Sequence, residues 1–360
     1  MTAAQSLAEG AAGVALLHLE TGNRPAAHAA LRAATANGVS IAAGASLFYG
    51  APALAFVLAT PNQPGLTRAR SIAATGTATV TRRRLHAAHR RIDSHQRPHY
   101  AEYDLIRGLT GLGVALHRLG DHDLLRQVLT YLVRLTEPVN DLPGWWCANG
   151  PDRHQPPPPG GHANHGIAHG ITGPLALLAL THRAGITVDG HTEAILRICR
   201  WLDTWQQHTA DTIWWPQTLT LDDLHHGAPA QQHPLRPSWC YGTPGIARAQ
   251  QLAALALHDT ARQLLAETGG AFTTCVNDPA QIRRLTDRSL CHGTAGLLAT
   301  GRRIAADALT PTPLAPLTRL HLHATPAADE PTGLLDGTAG HALAAASTTS
   351  TSWDACLLLS

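Results

Sequence analysis

The sequence predicts an all-α protein in which paired helices close into a ring. Three observations lead there: a short glycine pattern recurs along the whole chain, each copy opens an apolar run, and no segment shows convincing strand alternation. In each copy a Gly is followed by two residues and a second small residue. The copies are Gly10 to Gly13, Gly50 to Ala53, Gly108 to Gly111, Gly170 to Gly173, Gly242 to Gly245, Gly293 to Gly296 and Gly337 to Gly340. Ala and Gly are common in this chain, so a single copy carries no weight. Seven in series mark one supersecondary unit repeated.

Taken in order, the elements fit this reading. The stretch around Gly10, MTAAQSLAEGAAGVALLHLE, is apolar but lacks a basic leading segment and is interrupted by Glu9, so it reads as a helix and not as a signal peptide. The basic run at 81–93 reads as an exposed helix face. Beyond Gly173, PLALLALTHRAG is an apolar inner helix with Gly185 as its stop signal. The next segment sets Ile195, Ile198, Cys199, Leu202 and Trp205 on one helical face. Similar pairs follow Gly111 and Gly245. Inner helices that are apolar all round favour a closed ring over an open solenoid, because a ring covers both of their faces. Irregular intervals between copies put long surface loops at 151–161, 217–237 and 310–316, which read as insertions near one mouth of the ring. A single domain over 1–360 is expected.

Composition narrows the function. The chain has 360 residues, 44% hydrophobic and 14% charged, with net charge +2. That balance gives no electrostatic footprint for nucleic acid, and no uncharged run is long enough for a membrane span. Six unevenly spaced cysteines do not form a disulfide framework; reduced thiols in a cytoplasmic protein are expected.

Aligning the copies on their first Gly isolates a register. The preceding residues are Glu9, Tyr49, Arg107, His169, Tyr241, His292 and Asp336, and one position earlier two copies carry Cys240 and Cys291. In a ring, equivalent positions meet at one mouth, so Cys240, Cys291 and His292 converge. Two thiolates and an imidazole are a soft zinc set that leaves a fourth position open. Cys199, Cys275 and Cys356 read as small apolar residues, while Cys147 lies among aromatics in a loop. His162, His165 and His169 cluster in sequence, but 23 histidines produce such clusters cheaply, and only His169 shares the register. Asp104, four residues before Gly108, reads equally well as a helix cap or as a functional carboxylate. Arg236, four before Cys240, reads as a solvated loop residue or an anion contact.

SWCYGTPG at 238–245, SLCHGTAGLL at 289–298, NHGIAHGITGPL at 164–175 and EYDLIRGLTG at 102–111 resemble the lanthionine synthetase C-like proteins over essentially all seven repeats. The resemblance implies an α/α toroid of seven inner and seven outer helices. It implies Zn²⁺ on Cys240, Cys291 and His292, and an active site containing Asp104, His169, Arg236 and Tyr241. It further implies a lanthipeptide cyclase that adds peptide cysteine thiols to dehydroalanine or dehydrobutyrine. The expected partners are a dehydrated, leader-bearing precursor peptide and a separate dehydratase, since no dehydratase region precedes the repeats. Copy two departs from the pattern at Ala53, and the first two repeats carry no functional signature.

For this chemistry a peptide thiol near pKa 8.5 must lose its proton, and the enolate formed on attack must gain one. Zinc serves the first need, and His169 suits the second near neutral pH. Asp104 either orients His169 or helps deprotonate the thiol, while Arg236 and Tyr241 are placed to stabilise the developing oxyanion. The alternative is a non-cyclising, zinc-containing protein that binds a thiol such as glutathione. A glycosidase using Asp104 and Asp336 would leave the Cys-Cys-His set unexplained.

Overall fold

Every copy of the glycine pattern starts an inner helix. The computed structural model describes residues 3–61, 65–150, 156–209, 212–267, 270–346 and 351–360. The main helices run α1 (Ala11–Glu20), α2 (Arg24–Thr35), α3 (Ala51–Leu58), α4 (Thr67–Asp93), α5 (Leu109–Leu119), α6 (His122–Leu135), α7 (Thr172–Arg183), α8 (His191–Thr204), α9 (Thr243–Leu257), α10 (Thr260–Ala266), α11 (Thr294–Asp307), α12 (Ala315–Leu322) and α13 (Thr338–Ala345). Odd-numbered helices form the inner layer, and each packs against the next until α13 returns to α1, closing an α/α toroid. Even-numbered helices lie outside, each against its own inner partner.

The two layers differ in burial as their sequences require. Every residue of α3 is buried, because an inner helix has neighbours on all sides. Outer helix α6 buries a single face, formed by Leu124, Leu125, Val128, Leu129, Tyr131, Leu132 and Leu135. Helix α8 likewise buries Ile195, Ile198, Cys199 and Leu202, as the periodicity predicts. Gly185 lies just beyond the end of α7 with φ +72°, the left-handed turn that a stop glycine supplies.

The second small residue of the pattern has a packing cause. In six of the seven copies the loop before the inner helix folds back so that the carbonyl three residues ahead of the first Gly lies on the second Gly's Cα. A Cβ on Gly111 would run into Leu105 O, and one on Gly245 into Trp239 O; the same holds for Gly13, Gly173, Gly296 and Gly340. The residues supplying these carbonyls are apolar and fully buried, from Leu7 through Leu105, Ile167, Trp239 and Leu290 to Leu334.

These loops are also joined to one another by a belt of backbone hydrogen bonds around the mouth. Leu105 N donates to Ala168 O (3.1 Å), Ala168 N to Cys240 O (3.3 Å) and Cys240 N to Cys291 O (3.2 Å). Cys291 N continues to Leu335 O (3.0 Å), Leu335 N to Ala8 O (3.0 Å) and Leu7 N to Phe48 O (2.9 Å). Among the described residues no such bond joins copies two and three. There the Arg84 guanidinium from α4 bridges the junction, donating to Arg107 O, Ala43 O and Ala45 O. A cavity of about 750 Å³ opens at this seam, lined in part by Glu9, Tyr49 and Arg107.

Several features escaped the sequence reading. Two antiparallel strand pairs occur, β1 (His162–Asn164) with β4 (Thr218–Thr220), and β2 (Gln207–Thr209) with β3 (Thr212–Trp214). Each strand has three residues, too few for alternation to register. The 217–237 stretch is therefore a strap pinned to β1, continued by a helix at Leu221–His226 that carries a Thr220/Asp223 capping box. Of the other two loops, residues 151–155 lie outside the described residues, and 310–316 ends in the first turn of α12.

After α13, the described chain resumes at 351 and forms a 3₁₀ turn, Trp353–Leu357, which plugs the bore. Arg118 of α5 donates to Ser352 O, Arg248 of α9 to Leu359 O, and Arg303 of α11 pairs with Asp354. Trp239 Nε1 reaches Leu357 O at 3.0 Å, tying the plug to the loop that carries Cys240. Among the described residues, no helix is long and apolar enough to cross a membrane.

Candidate metal and proton-transfer site

The belt sets the site. Because Cys240 N bonds to Cys291 O, the two cysteines lie side by side although they belong to different repeats. One ligand atom each from Cys240, Cys291 and His292 lie within 4.8 Å of one another. Donors bound to one zinc at about 2.0–2.3 Å sit at most about 4.6 Å apart. The residues therefore fit a Cys₂His site after a small closure, and no other group of His, Cys, Asp and Glu among the described residues does.

The two sulfurs lie against each other. Their mutual hydrogen bond pulls the Cys240 thiol down to about 7 despite burial, with Ser238, His169 and Arg236 adding to the effect. The same bond, reinforced by burial, pushes the Cys291 thiol up. Two sulfurs this close are a donor pair that a divalent cation binds by displacing their protons. His292 Nε2 lies 3.3 Å from Asp287 Oδ2, and its Nδ1 lies 3.9 Å from Asp336 Oδ1.

A second centre adjoins the first along the belt. Asp104 is wholly buried and His169 is 28% exposed at the side chain, with His169 Nδ1 2.7 Å from Asp104 Oδ2. Asp104 Oδ1 accepts the backbone N–H groups of Arg107 (2.7 Å) and Gly108 (2.6 Å). The cap of α5 is Gly108 and not Asp104; the carboxylate braces the preceding turn while its other oxygen orients His169. The helix-cap reading of Asp104 is thus corrected: the carboxylate accepts from the turn ahead of the helix and pairs with His169. With Nδ1 engaged, Nε2 is the nitrogen left for chemistry. The Tyr100 and Tyr241 rings flank the imidazole at 5.5 and 6.0 Å between centroids.

Tyr241 accepts a hydrogen bond from Asn164 Nδ2 (3.3 Å), and burial pushes its phenol up, so it stays a neutral donor. Asn164, which sequence reasoning missed, also accepts Gly166 N–H (2.9 Å). Arg236 is half-buried, and its charge adds to the lowering of the Cys240 thiol and only partly opposes the rise of Cys291. All seven residues singled out from the sequence gather at one mouth.

The other histidines do not join them. His165 is buried, with Nδ1 2.7 Å from Pro216 O and Nε2 accepting from Trp201 Nε1 (2.9 Å), so no lone pair remains for a metal. Cys199, Cys275 and Cys356 are buried and free, with burial pushing each thiol up. Cys147 is also buried, 3.2 Å from the Tyr103 hydroxyl.

The comparisons speak to family and fold. The nisin biosynthesis protein NisC of Lactococcus lactis subsp. lactis is 27% identical over 211 residues, which is 55% of this chain and 48% of that protein. The match thus spans about half the length of that curated relative. A solved structure of nisin cyclase superposes with TM-score 0.81, covering 99% of this chain and 92% of that one at 20% identity, and shares the fold. The sequence model of the lanthionine synthetase C-like proteins matches residues 3–358, and the chain belongs to that family.

Proposed function

We propose that this protein is a zinc-dependent lanthipeptide cyclase. On this reading it adds a peptide cysteine thiol across a dehydroalanine or dehydrobutyrine of the same peptide. The observation that carries the proposal is the junction of two centres on one hydrogen-bonded belt: the Cys240–Cys291–His292 cluster, and the buried Asp104 holding His169. The name of the relative NisC supports the substrate class.

Zinc on Cys240, Cys291 and His292 would supply the Lewis acidity that keeps an incoming peptide thiol deprotonated at neutral pH. His169 holds the proton inventory: its Nε2 takes up and returns a proton, while Nδ1–H stays on Asp104. The balance is simple. The thiol S–H bond breaks, a C–S bond forms at Cβ, and one proton is delivered to Cα. Asp104 has no oxygen left to act on substrate directly, so its role is to fix the tautomer of His169 and stabilise the imidazolium. Arg236 and Tyr241 place a cation and a neutral O–H donor where negative charge develops on the enolate oxygen.

The same ligands would serve a protein that merely holds a thiol such as glutathione. The Asp104–His169 pair favours the cyclase, since thiol binding needs no proton carrier. A glycosidase is disfavoured because both Asp104 oxygens are engaged. The peptide would arrive already dehydrated by another enzyme. A reducing cytoplasm suits six free cysteines, and one folding unit over 1–360 suits a closed ring.

The test is elemental analysis of the purified protein beside Cys240→Ala, followed by a cyclisation assay on a dehydrated peptide read by thiol-alkylation mass shift. About one zinc per chain, lost in the variant together with ring formation, is the expected result. A wild-type protein that takes up no zinc after reconstitution would defeat the proposal.

A further inference from the structure

We infer that Asp287 is a positioning residue for the metal centre: it holds the Nε2–H of His292, so that Nδ1 is the nitrogen presented to the ion. The inference rests on the Cys₂His reading of the site.

A neutral imidazole carries one N–H, and only the other nitrogen has a lone pair to give a metal. Metal-ligating histidines almost always donate that N–H to a carboxylate, a carbonyl or water, which fixes both tautomer and ring orientation. His292 has a carboxylate on each side, and the geometry separates them. Asp287 Oδ2 is 3.3 Å from Nε2, an ion-pair distance that a small turn of the ring would bring to a hydrogen bond, whereas Asp336 Oδ1 is 3.9 Å from Nδ1.

Asp287 is itself held firmly. Its Oδ1 accepts Ser289 N–H at 2.9 Å, and its carbonyl accepts Thr294 N–H at 3.2 Å. A Cβ on Gly293 would run into Oδ1, so the first Gly of this copy also makes room for the carboxylate. The His292 backbone is pinned in turn, its N–H donating to Ser289 Oγ at 3.1 Å. Thus the loop Asp287–Gly293 fixes the backbone of His292 and sets a braced carboxylate beside one edge of its ring before any ion arrives. Binding then has less ordering to supply.

The experiment measures the Zn²⁺ dissociation constant, by competition with a chromogenic chelator, for the wild type, Asp287→Ala, Asp287→Asn and Cys291→Ala. Long-range ¹⁵N–¹H spectra of the zinc form report which nitrogen of His292 carries the proton. The expected tautomer is Nε2–H. Asp287→Ala should weaken zinc roughly 10–100-fold. Asp287→Asn separates positioning from simple loop bracing: its amide oxygen can keep the Ser289 bond, but it turns an N–H toward Nε2. Affinity close to that of the alanine variant supports positioning, whereas wild-type affinity in Asp287→Asn would reduce Asp287 to a brace and overturn the inference. An Nδ1–H tautomer in the wild type would overturn it too, as would an alanine variant within about twofold of wild type. Cys291→Ala is the benchmark. If it retained full zinc affinity, the Cys₂His reading itself would fail, a result distinct from failure at Asp287 alone.

Discussion

His169 and His292 occupy the same position in two copies of one repeat, and each has a ring nitrogen beside a carboxylate. Their partners differ. Asp104 reaches His169 from the neighbouring repeat, through Nδ1, at 2.7 Å and with no exposure of its own. Asp287 reaches His292 from the same loop, through Nε2, at 3.3 Å and partly open to solvent. The residue ahead of each differs as well: Ala168 in one copy, Cys291 in the other. The belt brings that preceding position of one loop against its counterpart in the next, so Cys291 meets Cys240, while Ala168 presents only a methyl group. On the proposed reading, a ring of near-equivalent backbones gives one histidine over to a metal and leaves the other to protons. Two side-chain choices per loop decide which.

The strongest way to break this division is His169→Ala. Zinc content should stay at the wild-type level while turnover falls by roughly 10²–10⁴, the contribution of a positioned acid–base group. Metal analysis and single-turnover cyclisation on the same sample check it. Loss of zinc would make His169 a ligand and erase the contrast with His292. Next in size is Asp104→Asn, which keeps an oxygen for Arg107 and Gly108 N–H but cannot accept from His169 Nδ1 with its amide group. Turnover should fall by roughly 10–100-fold with zinc retained. Asp104→Ala should lose, in addition, roughly 1–3 kcal/mol of stability by orphaning both N–H groups; denaturant unfolding of the two variants separates these effects.

What the sequence disclosed follows the same logic. Cys240, Cys291 and His292 were legible because a repeat makes position in the pattern a proxy for position in space. The seven inner helices were legible because each opens on the glycine pattern, whose second glycine has a steric reason to be there in six copies. Asp104 was harder: four residues ahead of a helix, a carboxylate that caps and one that orients a histidine look alike, and here it braces the turn and orients at once. Asp287 and Asn164 gave no signal, since their partners are set by loop geometry and not by register. The belt was invisible because backbone bonds carry no residue signature. The same holds for the plug at Trp353–Leu357, whose partners Arg118, Arg248 and Arg303 lie on three different inner helices. Ala53 marks an irregular copy, and the seam bridged by Arg84 lies between that copy and the next.

A third histidine sharpens the comparison by having nothing left to give. His165 lies four residues before His169 but is fully buried, with both nitrogens engaged, and burial lowers its pKa to about 4. Burial holds His162 and His321 near the same value. An unfolded histidine titrates near 6.5, so between about 6.5 and 4 the unfolded chain binds more protons than the folded one. Stability therefore rises with pH in that window and is lost on acidification. His165 alone contributes at most about 1.4 kcal/mol per pH unit there. Urea unfolding at pH 7 and pH 5 should show the acid loss, and His165→Gln should make the loss shallower while lowering stability at both values through the broken bonds to Pro216 and Trp201. An unchanged slope in that variant would mean that His165 already protonates in the folded ring. The contrast between a spent histidine and a working one four residues later would then have to rest on exposure alone.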